Sequence, residues 1–279
     1  MCGNLRKTLS RPLSGALSLG LSTALVASGV AVGAIAVAPS ASAVSVDQCY
    51  SYKSNGTKDQ AASAAAVDCA GPHTAQTYWV GTLPDGFGVP EKASTAARLR
   101  VIQQCTTERL HQFLGMPDRK LPSRFQTVPV YPTAAQWNAG ERWVRCDVIL
   151  RGGKTYKSFS GTAQTLVAST PADTFNFCTP GVPGNRTTSA YPCLNKKKNW
   201  IMIQERDLGT PTSKFPGART VESRTKKICS TAAKPYTILK KYYPWWAIWP
   251  VDSGWKQGIR TAQCFVPYSE YIATQTAAG

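Results

Sequence analysis

The sequence predicts an α+β protein made of two tandem, disulfide-stabilised β-α-β-α-β repeats. Eight of the nine cysteines form two quartets with similar internal spacing, and the 16 residues that lead into each fourth cysteine also repeat. These segments are YPTAAQWNAGERWVRC (131–146) and WPVDSGWKQGIRTAQC (249–264). At an offset of 118 residues, the identical pairs are Pro132 and Pro250, Trp137 and Trp255, Gly140 and Gly258, Arg142 and Arg260, and Cys146 and Cys264. Such self-similarity indicates a duplicated unit.

The first 43 residues are typical of a signal peptide. Arg6, Lys7 and Arg11 precede an uncharged apolar stretch over 15–39, and the ASA sequence at 41–43 is a cleavage motif. We therefore expect a secreted or cell-surface protein. The alternative is an uncleaved membrane anchor, because about 20 apolar residues suffice to cross a bilayer.

Export would place the remaining eight cysteines in an oxidising compartment, where disulfides form. Four cysteines per repeat allow three connectivities. We expect the first to pair with the second and the third with the fourth: Cys49–Cys69, Cys105–Cys146, Cys178–Cys193 and Cys229–Cys264. The wide spacings contain no C-x2-C pair and no nearby histidine, which argues against zinc; no metal or other cofactor is expected.

The first repeat is predicted over 44–150 and has an alternating pattern of strands and helices. We expect strands at 73–83, 124–132 and 142–150, a helix at 93–114 and a helical turn at 133–140. In the helix, Leu99, Ile102, Leu110 and Phe113 recur near helical spacing, so Cys105 should lie near the same buried face.

The second repeat is predicted over 175–268 and is a diverged copy. Its strands are expected at 199–208, 242–250 and 259–268, and its helix at 218–233, before Pro235. A linker over 151–174 would join the repeats, and residues 269–279 would form a C-terminal tail.

The cysteine pattern resembles that of the septum formation-related domain of exported actinobacterial proteins. The matching positions in the first repeat are Cys69, Pro72, His73, Cys105, Pro132, Trp137, Gly140, Arg142 and Cys146. The second repeat matches at Cys193, Cys229, Pro250, Trp255, Gly258, Arg260 and Cys264, but has Lys197 where the histidine is expected. The resemblance implies an extracytoplasmic role connected with cell division or the envelope.

The charge balance suggests anionic partners. The chain has 32 Lys and Arg against 15 Asp and Glu, a formal net charge of +17. Residues 44–170 have 14 basic and 9 acidic side chains, and residues 171–279 have 15 and 6. A basic surface attracts anions through a salt-screened field, so we expect an anionic cell-wall polymer, a membrane surface or an envelope protein as partner. Nucleic acid is disfavoured because no nucleic-acid-binding motif accompanies the charge.

Two places are candidate binding sites. His73 could contact a ligand or support a turn. The run KKYYPWWAIWP (240–250) places aromatic rings beside cations, and its candidate residues are Lys240, Lys241, Tyr242, Tyr243, Trp245 and Trp246. These rings could contact a glycan, wall polymer or membrane surface, or pack between the repeats. Trp137 and Trp255 are expected in the core, since they repeat together with Gly and Arg.

The sequence favours a non-catalytic binding protein of the cell envelope. The cysteines are assigned to bridges, and neither G-x-S-x-G nor S-x-x-K occurs. The alternative is a cell-wall hydrolase with a carboxylate pair, which has no local sequence signature.

Overall fold

The computed structural model describes residues 44–54, 58–153, 155–183, 191–193, 199–210, 212–236 and 244–278. The predicted signal peptide therefore lies outside the described residues. Within those ranges, no helix combines the length and the apolar character that crossing a membrane requires.

The first half of the described chain contains one antiparallel sheet and five short helices. The strands are β1 (Cys49–Tyr50), β2 (Ala66–Val67), β3 (Ala75–Thr82), β4 (Phe125–Val130), β5 (Trp143–Gly152) and β6 (Thr155–Lys157). Their order is β2-β1-β3-β5-β4, and β6 also pairs with β5. The helices are α1 (Lys58–Ser63), α2 (Thr95–Ile102), α3 (Thr107–Phe113), α4 (Ala134–Asn138) and α5 (Ala163–Ala168).

The second half contains a smaller antiparallel sheet and a long helix. Its strands are β7 (Cys178–Pro180), β8 (Asn199–Asp207), β9 (Trp246–Ile248) and β10 (Thr261–Pro267). Their order, β7-β8-β10-β9, is the same as that of β1-β3-β5-β4 in the first sheet. The helices are α6 (Ala218–Ala233), α7 (Asp252–Lys256) and α8 (Tyr268–Ala278). The protein is thus α+β, as the sequence predicted.

The four disulfides join the cysteines in the predicted pairs. The bonded pairs are Cys49–Cys69, Cys105–Cys146, Cys178–Cys193 and Cys229–Cys264. In each half, the second of the two bridges ties a helical segment to the long closing strand, β5 or β10. The covalent links therefore hold each sheet to the helices that cover it.

The repeated Trp-x2-Gly-x-Arg segment forms the same helix end in both halves. Gly140 and Gly258 have φ angles of 95° and 93°, a left-handed conformation that suits glycine. The following amide nitrogens donate back to the helix: Glu141 N to Gln136 O at 3.0 Å, and Ile259 N to Gly254 O at 2.9 Å. These bonds define a Schellman cap, which satisfies carbonyls that the helix end would leave unpaired.

The arginine of each segment then covers the tryptophan. The guanidinium carbon of Arg142 lies 3.5 Å from the centroid of the Trp137 ring, and that of Arg260 lies 5.0 Å from the Trp255 ring. Trp255 is 3 % exposed, as predicted for a core residue, whereas Trp137 is half-buried at the edge of a core cluster. The Trp-x2-Gly-x-Arg spacing, which the two halves share, thus produces a helix cap and an Arg–Trp stack in each of them.

The single helix predicted over 93–114 is wrong, because the chain forms two helices there. The Thr106 side chain accepts a hydrogen bond from Arg109 N at 3.2 Å and starts α3 as an N-cap. Cys105 lies in the turn between the helices, and its disulfide directs this turn towards β5. As a consequence of the break, Ile102 is 41 % exposed and does not belong to the buried face.

The predicted linker and tail are both folded. Residues 151–174 extend β5 and form β6 and α5, and Phe159 and Ala163 enter the core of the first half. The tail is largely α8, and its Tyr271 is buried in the core of the second half. Scattered apolar residues without clear periodicity gave no helix or strand prediction here.

Candidate functional site

A groove of about 710 Å³ lies where the two halves meet. The first half contributes α3, the segment over 117–123 and part of β4, and the second half contributes the end of β8 and the start of β10. The titratable residues along it are Glu108, His111, Arg119, Lys120, Glu205, Arg206 and Asp207. The groove therefore combines charged and apolar side chains, and it depends on both halves.

Two carboxylates on β8 form one wall of this groove. Glu205 and Asp207 are two residues apart on a strand, so their side chains leave the same face. The neighbouring strand β10 orients both of them: Gln263 Nε2 donates to Glu205 Oε1 at 2.8 Å, and Thr261 Oγ1 donates to Asp207 Oδ1 at 3.3 Å. Regular strand pairing thus positions the acidic wall.

Glu205 ionises with more difficulty than an ordinary glutamate. Its side chain reaches solvent in the groove, yet protein atoms surround it closely, and this burial raises the pKa of its carboxyl. The hydrogen bond from Gln263 opposes the increase, and the charge of Asp207 adds to it. A carboxyl with a raised pKa retains its proton to higher pH than its neighbours.

The opposite wall comes from α3 and the segment that follows it. Leu110 anchors α3 in the core, while Glu108 and His111, three residues apart, share a helix face towards the groove. Burial lowers the pKa of His111, the Arg119 charge lowers it further, and Glu108 acts in the opposite direction. The His111 imidazole therefore favours its uncharged form more than an ordinary histidine does.

Arg119 fixes the loop beyond α3 to the connecting segment. Its Nη2 donates to Asn176 Oδ1 at 2.6 Å, and burial lowers the pKa of its guanidinium. The groove thereby offers hydrogen-bond donors and acceptors on two walls, and hydrogen bonds within the protein fix the position of each wall. In the described ranges, no group of three or more His, Cys, Asp or Glu side chains is arranged to hold a metal ion.

His73, a candidate ligand contact, lies in the protein interior. Its side chain is fully buried, its Nδ1 is 2.9 Å from Gly71 O, and its ring packs against Phe159 with 4.4 Å between centroids. The backbone groups of His73 and Phe159 also pair as an isolated bridge. This placement favours the structural alternative for His73.

The aromatic run is only partly described. Lys240, Lys241, Tyr242 and Tyr243 lie outside the described residues. Trp245 is half-buried against the core beneath α6, whereas Trp246, on the edge strand β9, is 43 % exposed. The Trp246 ring lies 6.4 Å from the Trp200 ring of β8. The structure therefore brings Trp246 and Trp200 together at one edge of the second sheet, and places neither beside His73.

Sequence reasoning missed the groove residues. His111 and the Glu205-Arg206-Asp207 segment belong to no recognisable motif, and the three charged residues of that segment are exposed along the groove. The alternation of the two acids on a predicted strand could have indicated a shared face. Their proximity to α3 had no local signature.

The fold and groove define a disulfide-linked α+β class of protein: two antiparallel sheets, each tied to a helical segment by one of its two disulfides, with a groove lined by both halves. A family model described as septum formation matches residues 47–264, most of the chain. The chain belongs to the septum formation family. The match is continuous and includes both halves. No curated protein and no solved structure matches this chain.

Proposed function

We propose that this protein is an exported, non-catalytic binding protein of the cell envelope that acts in septum formation. The observation that carries this proposal is the polar groove, which both halves build and the disulfides hold in place. A concave groove in which several polar groups converge on a preformed scaffold is the usual first hypothesis for a binding site. Family membership supports the connection with septation, and the predicted signal peptide supports export.

We further infer that the two halves are copies of one ancestral unit. The strand order is the same in both sheets, and equivalent disulfides join a helical segment to the closing strand. The Schellman caps and Arg–Trp stacks also correspond. A further equivalent contact follows each stack: Leu83 N donates to Arg142 O at 2.8 Å, and Leu208 N donates to Arg260 O at 2.9 Å. Duplication would place the groove at the junction of the copies.

Binding is tested by sedimentation of the mature chain with purified cell wall at low and high salt. We expect salt-sensitive capture without loss of wall turbidity, because a basic protein contacts anionic polymers through a screened field. Lys120→Glu reverses a charge on the groove wall, and Lys92→Glu makes the same change at an exposed position outside it. A greater loss of wall capture with Lys120→Glu than with Lys92→Glu supports contact between the groove and the wall polymer. Absence of wild-type capture at low salt contradicts the binding function.

The septation role is tested by localisation of a tagged copy in dividing cells. We expect export and enrichment at the division site. A cytoplasmic signal, or an even distribution over the envelope throughout division, contradicts this part of the proposal.

A cell-wall hydrolase is the second candidate, and Glu205 is the observation that favours it. Glycosidases use an acid with a raised pKa together with a second carboxylate. Glu205 has the first property, and Glu108 lines the groove from the other half. Clearing of a wall suspension by the wild type, abolished in Glu205→Gln and retained in Asp252→Asn, would establish this alternative.

A further inference from the structure

The exposed face of α6 is a rigid row of cations. We propose that this face binds a linear, flexible polyanion of the envelope through its phosphate or carboxylate groups. The inference rests on the proposed binding function and names the surface and the ligand chemistry.

The inner face of α6 is fully occupied by the protein itself. Val221, Thr225, Cys229 and Ala233 are buried at intervals of four residues, and they form one stripe against the second sheet. The Cys229–Cys264 disulfide ties this stripe to β10. The helix therefore presents its outer face to solvent in a fixed orientation.

That outer face has several cations with hydroxyl side chains between them. Its exposed cations are Arg219, Arg224, Lys226 and Lys227, with Lys234 directly after the helix. Glu222 is the only acid in α6, and its Oε1 lies 2.6 Å from Lys226 Nζ. Arg219, Arg224 and Lys227 have no ion pair to any residue in the described ranges. At about 1.5 Å per residue, the row extends roughly 22 Å from Arg219 to Lys234.

Two of the three arginines in the corresponding helices of the first half are engaged internally, and Arg100 is exposed. Arg98 Nη2 donates to the carbonyl oxygens of Pro90 and Glu91, at 3.4 and 3.3 Å. Arg109 Nη1 donates to Gln104 O at 2.6 Å, and its guanidinium lies 4.7 Å from the Trp79 ring. Two structurally equivalent regions thus differ in the way their charges are used, and only α6 directs several unpaired cations outwards.

The spacing of the row suits a polymer. Arg219 and Lys226 are seven residues apart, about 10 Å along the helix axis. This distance is close to the Debye length of about 10 Å at 0.1 M salt, so neighbouring charges reinforce one another. One small anion contacts one or two of them, whereas a flexible chain contacts the whole row and gains from linked contacts.

A bilayer is a poorer fit for the same surface. Helices that lie in a membrane interface insert an apolar face among the lipids. In α6 that face is buried against the protein's own sheet, and the residues between the outer cations include Ser223, Ser230 and Thr231. The exposed face has charge and hydroxyl groups but no large apolar side chain to insert.

The test compares two variants with equal changes in net charge. Arg219→Gln/Arg224→Gln/Lys227→Gln removes three exposed cations from α6, and Lys53→Gln/Lys92→Gln/Arg100→Gln removes three from the exposed surface of the first half. The full mature chain is titrated at low salt with inorganic polyphosphate, with polyglutamate and with phosphatidylglycerol vesicles. Thermal unfolding verifies that both variants fold.

We expect the α6 variant to bind at least one of the two polymers on the order of tenfold more weakly, because three weak, exposed ion pairs with the polymer are lost together. The first-half variant should change less than about threefold. The two polymers distinguish phosphate from carboxylate recognition. If polymer binding weakens equally in the two variants, net charge alone explains the effect. If the protein binds vesicles in preference to the polymers, the ligand is a membrane surface. Either result overturns the inference.

Wall sedimentation separates this inference from the proposed function. If the α6 variant sediments with wall as the wild type does while Lys120→Glu does not, the inference fails and the binding function stands. If the wild type binds neither wall nor polymer, the proposed function itself fails.

Discussion

The Nε of Arg145 donates to Asp147 Oδ2 at 3.0 Å, with both side chains at most 1 % exposed. Tyr52 Oη and Thr77 Oγ1 also donate to this carboxylate, at 3.0 and 2.7 Å. Arg145 Nη2 donates to Ala61 O at 2.7 Å and thereby holds α1 against the first sheet. Burial raises the pKa of Asp147, while Arg145, Thr77 and Tyr52 lower it. Every partner of this ion pair is structural, so we expect it to act on stability.

Asp147→Asn should lower the free energy of unfolding by about 3–5 kcal/mol, because it leaves a buried guanidinium without its counter-charge. Urea unfolding under non-reducing conditions measures this loss. The matched control is the double variant Arg145→Met/Asp147→Asn, in which no buried charge remains. Its loss should be smaller than the sum of the two single losses, and simple additivity would refute the coupling.

Removal of a disulfide should destabilise the protein, and the loss should be larger for the bridge that closes the longer loop. The sequence separations are 41 residues for Cys105–Cys146 and 15 for Cys178–Cys193. Paired Cys→Ala variants should each lose roughly 2–4 kcal/mol, with the longer loop losing about 0.9 kcal/mol more on the chain-entropy account. Denaturant midpoints provide the comparison. The reverse order would show that contacts, and not loop entropy, dominate.

Thr225→Val should stabilise the protein. Thr225 is fully buried on the inner stripe of α6, and its Oγ1 has no hydrogen-bond partner among the described residues. Valine has nearly the same shape and removes the unpaired hydroxyl, so a gain of about 1 kcal/mol is expected in urea unfolding. The reciprocal control, Val221→Thr, introduces a hydroxyl on the same stripe and should destabilise. A loss with Thr225→Val would indicate that the hydroxyl is satisfied.

Glu205→Gln should stabilise the protein at neutral pH and not in acid. The ordinary pKa of glutamate is 4.5, and burial raises that of Glu205 in the folded state. The folded state thus binds this proton more tightly than the unfolded state, so stability falls as pH rises from 4.5 through the raised pKa. Glutamine resembles the protonated form and avoids this loss.

The difference in melting temperature between Glu205→Gln and wild type should be positive at pH 7. The difference should vanish below about pH 4, where the Glu205 carboxyl is largely protonated in both the folded and the unfolded protein. Asp252→Asn, at an exposed pair with Lys256, serves as the control and should show no such gain at pH 7. A pH-independent difference would contradict the raised pKa.

Most strands and the ends of α6 were predictable because their determinants are close in sequence. The α6 boundaries, 218 to 233, agree with the prediction, since Gly217 precedes the helix and Pro235 follows it. The broken helix over 93–114 was missed, because the Thr106 cap competes with a helical periodicity that continues on both sides. His73 was ambiguous from its residue type, and its burial depends on Phe159, 86 residues away, which packs on its ring.

The sequence by itself determined the cysteine spacing, the repeated Trp-x2-Gly-x-Arg segment and the surplus of basic side chains. These features depend on spacing and composition, which the chain carries locally. Tertiary structure decided which charges became buried partners, which lined a groove and which faced solvent along α6. Those outcomes depend on residues such as Glu108 and Glu205, which are distant in sequence and line one groove only in the folded protein.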